Sequence, residues 1–353
     1  MTKKITLNDI AREAGVSSQT VSRVLNNRPD VSAETRNRIQ AIIDRMGYQP
    51  NEIARSLSAK RTRMIGVIVG SLDRYGPRMI FLELDKQVHA AGYRLLPYIT
   101  HDFDPLEADR YLRELLAHQP DGVIWAVMEL PDHEQLFRQH ILKSSVPLVT
   151  IETPIPGVPK PAFMDQVEAS STLVTHLIEQ GYSNIGIITG RQVPITKRGS
   201  LREVGWKKAM LEAGLPAENR QVVEGCWTSE SGEKAMAKLI KQYPEVDAVF
   251  ACNDQMALGV ISYAYQQDIK VPEQLGVVGF DDIPEAANFT PPLTTVRQPF
   301  EEFSAITVRV LVEMIEAQIM GKPYTPPETV TLYADFIIRE SSIIEKEKKY
   351  AEK

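Results

Sequence analysis

The stretch TLNDIAREAGVSSQTVSRVLN, from Thr6 to Asn26, carries polar side chains at a spacing that could recognise another molecule through hydrogen bonds. Thr6 followed by Asp9 has the spacing of a capping box, in which each side chain covers an orphan backbone N–H of the other. A helix begun there runs through Ala11 and Ala14 and breaks at Gly15, where a residue without Cβ can take a positive φ. Ser17 is placed to cap a second helix. Successive helical residues rotate by about 100°, so Val21, Val24 and Leu25 share one face of it. Gln19, Ser22, Arg23 and Asn26 share the other, with Ser18 at its edge. A short helix, a turn with glycine and a second helix with a polar, basic outer face make the plan of a helix-turn-helix, whose second helix lies in the major groove. Taken alone, the stretch also fits an ordinary pair of amphipathic surface helices.

The elements that follow are what would hold that face in place. Ser32 opens a third helix with Ile39, Ile42, Ile43 and Met46 on one stripe, stopped by Gly47. The stripe can cover the inner faces of the first two helices. After Gln49-Pro50 comes NEIARSLSAKRTR, capped by Asn51, with Ile53, Ala54 and Leu57 on one side. A helix this short is marginal alone in water. It needs DNA or a second copy of itself to persist.

The segments DIAREAGVS, TVSRVLN, VSAETR, GYQPN and ARSL stand intact and in order, and with them residues 5–69 resemble the head of the LacI/GalR family of bacterial transcription regulators. The resemblance implies that Ser18, Gln19 and Arg23 read base edges. Arg suits guanine O6/N7 and Gln suits adenine N6/N7, each bidentately. The plain alternative for the three is a solvated helix face. Thr6, Ser17, Asn26, Ser32 and Tyr48 sit at cap or loop positions where hydroxyls and amides bind phosphates and set register, or serve as caps alone. Leu57, in ARSL, matches the wedge that the family pushes into a minor-groove step; without the resemblance it would be a minor core contact. Two wedges meeting at the operator centre require a homodimer on near-palindromic double-stranded DNA.

Charge distribution points the same way. The net charge of −6 conceals 12 Lys and Arg against 6 Asp and Glu in residues 1–63, and 28 against 40 in the remainder. A basic head on an acidic body suits a nucleic-acid reader whose body stays off the phosphates. Cys226 and Cys252 have no metal-like spacing, and so few cysteines fit a reducing cytoplasm. The amino terminus has no apolar run of signal-peptide length, and nothing approaches the roughly 20 apolar residues of a membrane span. A cytoplasmic protein with no membrane partner is expected.

From Met64 onward short apolar runs alternate with helical stretches: MIGVIV, RLLPYI, DGVIWAV and VPLVTI, then, after the Pro-rich 153–161, NIGIIT, VVEG, DAVFAC and LGVVGF. Such a βαβ progression gives parallel sheets with helices on both faces. The expected fold is a small all-α helix-turn-helix head plus a two-lobed α/β body, which the resemblance makes periplasmic-binding-protein-like. The expected boundaries are a head over 1–49, a hinge helix and linker over 50–63, and an effector-binding and dimerisation domain over 64–340. Its lobes would comprise 64–160 with 281–320, and 161–280 with 321–340, leaving 341–353 as a charged tail. No P-loop, no strand-following GxGxxG, no HExxH and no GxSxG occurs, and the six histidines are scattered. Neither an enzyme, a cofactor nor a bound metal is expected.

Ligands of parallel α/β sheets lie beyond the carboxyl ends of the strands, and there the resemblance implies effector contacts. Arg202 in LREVGW can donate a fork of N–H groups. Asn253 follows a strand in ACNDQMALG, with Asp254 placed to cap the next helix. Asp281 follows a strand in VVGFDD, and Gln298 and Phe300 fall near the last lobe crossing. Trp227 can offer an indole face to a sugar ring, or be a core residue. Glu152, after VPLVTI, stands where the family often has an acidic contact. Asp254 and Asp282 are read as capping helices or holding loops rather than touching ligand, and SLDRYGP matches the family region that touches effectors, with no role assigned to Arg74. Carboxylates, an amide, an arginine and an aromatic plate make a polyol-binding set, so a small sugar or sugar derivative is the expected effector, with a sulfur or purine ligand as the alternative. The function expected is a sequence-specific repressor switched by that effector. A sugar-binding protein of a transport system is the rival reading, and inducer and corepressor roles both stay open.

Overall fold

The computed structural model describes residues 5–25, 28–48, 61–100, 105–127, 145–151, 155–190 and 201–344. The chain divides into two compact units, Met1–Arg63 and Met64–Lys353. The expected hinge helix, with Leu57, lies outside the described residues.

In the first unit, α1 (Leu7–Ala14), α2 (Ser18–Leu25) and α3 (Ala33–Met46) surround one small core. Ile10, Val21 and Ile39, one from each helix, are fully buried at its centre. The capping box forms: Thr6 N–H donates to Asp9 Oδ2 at 2.9 Å and Asp9 N–H to Thr6 Oγ1 at 3.3 Å. Gly15 takes the left-handed conformation, φ 64°, and ends α1. Arg36 on α3 donates to the carbonyls of Val24 and Arg28, covering the carboxyl end of α2. An Arg45–Glu13 ion pair at 2.6 Å ties α3 to α1.

In the second unit, β1 (Met64–Val69), β2 (Arg94–Ile99), β3 (Gly122–Ala126) and β4 (Leu148–Thr150) form a parallel sheet in the order β2-β1-β3-β4. A second parallel sheet has the order β7-β6-β8-β9, from β6 (Ile185–Thr189), β7 (Val222–Glu224), β8 (Ala248–Ala251) and β9 (Gly276–Val278). The central strands β3, β6 and β8 are buried along their whole length, as continuous apolar runs require when helices cover both faces. Pro97 sits on edge strand β2, where its missing N–H breaks no ladder in the sheet interior. The first sheet carries α4 (Tyr75–Ala90) and α5 (Pro105–Ala117). The second carries α6 (Gln166–Gln180), α7 (Leu201–Glu212), α8 (Ser229–Gln242) and α9 (Asp254–Gln266).

Between the sheets run two short ladders. β5 (Ala162–Met164) pairs in parallel with β11 (Val330–Leu332), and β10 (Thr295–Arg297) pairs antiparallel with β12 (Asp335–Ile337). The long helix α10 (Phe300–Ile319) returns to the first lobe, burying Phe303, Val308, Leu311 and Ile315 there. Two expected boundaries need correction. Residues 281–297 stay with the second lobe rather than joining the first, because Ile283, Ala286, Phe289, Leu293 and Val296 pack into the second core. The crossing comes later, at Gln298–Phe300. The charged tail also starts later than residue 341: Ser341 and Ser342 are fully buried, and the Ser341 hydroxyl donates to the Val277 carbonyl at 2.6 Å.

Candidate functional site

On α2 the side opposite Val21 and Val24 is open to solvent, and Ser18, Gln19 and Arg23 are all exposed on it. The Arg23 guanidinium lies 3.3 Å from Asp30 Oδ2, a pair half exposed on both sides. Three of the hydroxyls read as phosphate contacts are caps at exposed helix ends. Thr6 caps α1, Ser17 Oγ accepts from Thr20 N–H at 3.1 Å, and Ser32 Oγ accepts from Thr35 N–H at 3.3 Å. Tyr48 packs half-buried against the head core. Asn26 lies outside the described residues. Forked side chains on an exposed helix face can lie along base edges while hydroxyls at the helix ends meet phosphates.

The second unit gathers a polar cluster at the carboxyl ends of its second sheet. Arg202, in the first turn of α7, donates from Nε to Gln166 Oε1 at 2.8 Å and from Nη1 to the Cys252 carbonyl. Its Nη2 lies 3.8 Å from Asp281 Oδ1, and its Cζ stands 3.6 Å from the centroid of Phe280. Gln298 Nε2 donates to the same Asp281 oxygen. Burial pushes the Asp281 carboxyl up to about 6, against the pull of Arg202 and the Gln298 hydrogen bond. Asp281 takes φ 117° and Asp282 φ 52°, so the chain turns sharply just past β9.

Asn253, expected as an effector contact, takes the helix cap that Asp254 was placed to make, and Asp254 keeps only its expected loop-holding role. Asn253 is the cap of α9, its Oδ1 accepting from Met256 N–H at 2.9 Å. Its Nδ2 donates to the Trp227 carbonyl at 3.0 Å, so this buried amide positions the tryptophan backbone. Asp254 does not cap the helix. It accepts from Ile283 N–H at 2.8 Å and from Thr295 Oγ1 at 2.6 Å, pinning the 281–283 turn. Burial, and next the Asp281 charge, raise its carboxyl to about 7. Asp282 holds loops as expected, through Arg297 at 2.7 Å and Arg339 at 2.7 Å.

Trp227 is half-buried at φ 66°, and its ring lies so close to Gly190 that a Cβ there would fall 1.8 Å from Cζ2. Two guanidiniums approach this indole, Arg202 and Arg74, each with Cζ 5.9 Å from the ring centroid. Trp227 therefore lies between the cluster and a cleft of about 590 Å³, which has Ser71, Arg74, Tyr75 and Arg78 of the first lobe on one wall. Thr228, Gln255, Ile283, Glu285 and Phe289 of the second lobe line the other. Phe300 meets Tyr75 edge-on, centroids 6.2 Å apart, behind the first wall. Glu152 lies outside the described residues.

Arg202, Asp281, Gln298 and Trp227 are thus brought together, while Asn253 and Phe300 support from behind. Sequence reading left out Gln166 and Phe280, and pointed to the first-lobe wall through SLDRYGP without assigning a residue in it. Phe280 carried a signal, as the aromatic between strand β9 and two consecutive aspartates. Gln166 carried none, because its partner stands 36 residues away. Among the described residues no group of His, Cys, Asp and Glu has metal-holding geometry, and no helix is long and apolar enough to cross a membrane.

Comparison with known proteins extends this geometry. Residues 6–51 match the family described as "Bacterial regulatory proteins, lacI family", and residues 174–342 match "Periplasmic binding protein-like domain". Catabolite control protein A of Priestia megaterium is 32% identical over 334 residues, 91% of this chain and 97% of that one. The transcriptional repressor PurR of Haemophilus influenzae is 32% identical over 339 residues, 95% and 98% of the two chains. Among solved structures, the Lac repressor dimer bound to operator and the anti-inducer ONPF superposes with a TM-score of 0.84 at 26% identity, covering 97% of this chain and 100% of that one. A complex of the transcriptional regulator CelR with cellobiose gives 0.68 at 30% identity, covering 96% and 99%. With a helix-turn-helix head, a two-lobed α/β body and relatives of this identity along nearly its whole length, the chain belongs to the LacI family of bacterial DNA-binding transcriptional regulators.

Proposed function

We propose that this protein is a dimeric, cytoplasmic repressor that grips a near-palindromic operator with two heads and releases or tightens it when a small sugar or sugar derivative enters the interlobe cleft. It acts by binding and catalyses no reaction. The observation that carries this reading is the outward face of α2, where Ser18, Gln19 and Arg23 stand exposed opposite the buried Val21 and Val24. Ser18, Gln19 and Arg23 read bases; Thr6, Ser17, Asn26, Ser32 and Tyr48 meet phosphates; Leu57 is the minor-groove wedge. In the body, Arg202, Asp281, Gln298 and Trp227 orient the effector, with Glu152 as an acidic contact.

The switch follows from ordering. A helix as short as the one expected at 51–59 is marginal alone and would need its symmetry mate on DNA to persist. An effector that moves the first lobes apart removes the pairing, and with it an ordering free energy of a few kcal/mol. Coupling is reciprocal, so operator and effector change one another's affinity by the same factor.

The test is selection of duplexes from a random library on the full-length protein, followed by fluorescence anisotropy with and without a sugar panel. One near-palindromic site is expected, its affinity moved by at least one sugar and strongly weakened by Leu57→Ala. A stable monomer that ignores DNA of every sequence at low salt overturns the reading. Equal effector affinity with and without operator overturns the switch.

A further inference from the structure

The first-lobe wall of the cleft is cationic where it faces the second lobe. Arg74 is the residue preceding α4 and Arg78 lies four positions on, so both project from the same side of the helix end. Both line the cleft opposite Trp227 and Gln255. Arg74 stands over the Trp227 ring, whereas Arg78 rests on Tyr75 with Cζ 5.6 Å from the ring centroid and, among the described residues, has no carboxylate partner.

The backbone adds to the same field. The first turn of α4 contains no acidic side chain, and its amino end has no side-chain capping hydrogen bond. The N–H groups of Tyr75 and Gly76 have no acceptor among the described residues, and the space beside Gly76 is open. An uncapped helix start carries roughly half a positive charge. Deeper in, the Arg202 charge is already met by Asp281 and adds little. Asp73 and Glu285 also reach the cleft, exposed as Arg78 is, but Asp73 is turned onto the Ser71 hydroxyl at 3.1 Å and Glu285 stands on the opposite, second-lobe wall. A wall of two guanidiniums facing an indole plate and an amide fits a polyol with an oxyanion at one end, because guanidinium forks bind carboxylate and phosphate bidentately.

We propose that the effector is an anionic sugar, a polyol bearing a phosphate or a carboxylate, with its charged group held by Arg74, Arg78 and the amino end of α4. This rests on the interlobe cleft being the effector site. The test is isothermal titration of the full-length protein with matched sets built on glucose, galactose and mannose: the neutral sugar, its 6-phosphate and its uronate, with inorganic phosphate alone as a further probe. One charged member is expected to bind at least about tenfold more tightly than its neutral parent. That advantage should shrink as NaCl rises from about 50 to 500 mM. It should disappear in Arg78→Gln and Arg74→Gln, whose melting temperatures check folding, and persist in Lys234→Gln, which removes a charge outside the cleft. Phosphate and uronate arms tell the two oxyanions apart.

A neutral sugar binding as tightly as its charged partners overturns the proposal and leaves the cleft as an effector site. An advantage that survives both arginine substitutions overturns it too. Inorganic phosphate binding as tightly as every sugar phosphate removes the polyol half. No response to any member overturns both this proposal and the sugar-effector reading.

Discussion

Arg202 and Asp281 face one another 3.8 Å apart in the interior of the second lobe, with side-chain exposures of 11% and 6%. Neither charge could stay there alone. Removing one partner of a buried pair typically costs about 3–5 kcal/mol, because the other is left uncompensated. Arg202→Ala should therefore lower the stability of the body by about that amount in urea unfolding and abolish the effector response. Arg202→Lys keeps the charge but loses the fork that reaches Gln166 and Cys252 together, so it should unfold with a smaller loss. Adding Asp281→Asn to Arg202→Ala should recover part of the stability. Additive losses in the double variant would show that the two groups do not compensate one another.

Asp254 makes stability depend on pH. Its carboxyl is raised to about 7 by burial and by the nearby Asp281 charge, whereas an unfolded aspartate titrates near 3.9. Between those values the folded chain keeps a proton that the unfolded chain has released. Stability from this group is complete below about pH 4 and is lost as pH rises through 7, at up to about 1.4 kcal/mol per pH unit. Asp254→Asn can still accept from Ile283 N–H and can donate to Thr295, without titrating. Its melting temperature should gain on that of the unaltered protein from pH 5 to about 7 and level off above that, a range set by the raised carboxyl. Parallel melting curves across that range would remove Asp254 from this role.

Helices α8 and α9 touch backbone to backbone. A Cβ at Gly232 would fall 2.2 Å from the Met256 carbonyl oxygen, and one at Gly259 would fall 2.0 Å from that of Ser229. Alanine gains up to about 1 kcal/mol over glycine in helix propensity. Overpacking costs about 1–3 kcal/mol, and here no rotamer can relieve it, since the colliding atoms are backbone. Overpacking wins. Gly232→Ala and Gly259→Ala should each lower the urea midpoint, with a shared loss when combined because they part the same two helices.

In the head, Arg23 and Asp30 form an exposed pair of the kind worth about 0.2–1 kcal/mol. Base readout is worth more, about 1–3 kcal/mol for a good bidentate contact. Arg23→Lys should lose that much discrimination at one base position per half-site while leaving head stability nearly unchanged. Asp30→Asn should tighten DNA of every sequence modestly by releasing the guanidinium and removing a negative charge near phosphates. Anisotropy titrations of the selected site and its single-base variants measure both. Equal discrimination by Arg23→Lys would take base reading away from Arg23.

The head was legible because its signals act over three or four residues. Thr6 with Asp9, Gly15, Ser17 and Ser32 do in the structure what their types announce, and the stripe of Ile39, Ile42 and Ile43 finds the core it requires. The alternation of apolar runs and helical stretches likewise specified parallel sheets with both faces covered, since only a strand buried on both sides is apolar throughout.

Tertiary structure decided the rest. Asn253 and Asp254 are equally good caps by type. What separates them is Ile283 and Thr295, 29 and 41 residues further along the chain. The same holds for residues 281–297, assigned to the second lobe by the packing of Ile283, Phe289 and Leu293 into its core, and for Ser341 and Ser342, polar residues in a stretch that reads as solvated. Thr294 meets the hydroxyls of both, and His176 meets Ser342. Composition and periodicity set which surfaces must be buried and which helices must start and stop, because those are local free energies. Which polar group a buried arginine or aspartate meets is set by chain segments that sequence separates widely, and only folding brings them within hydrogen-bond reach.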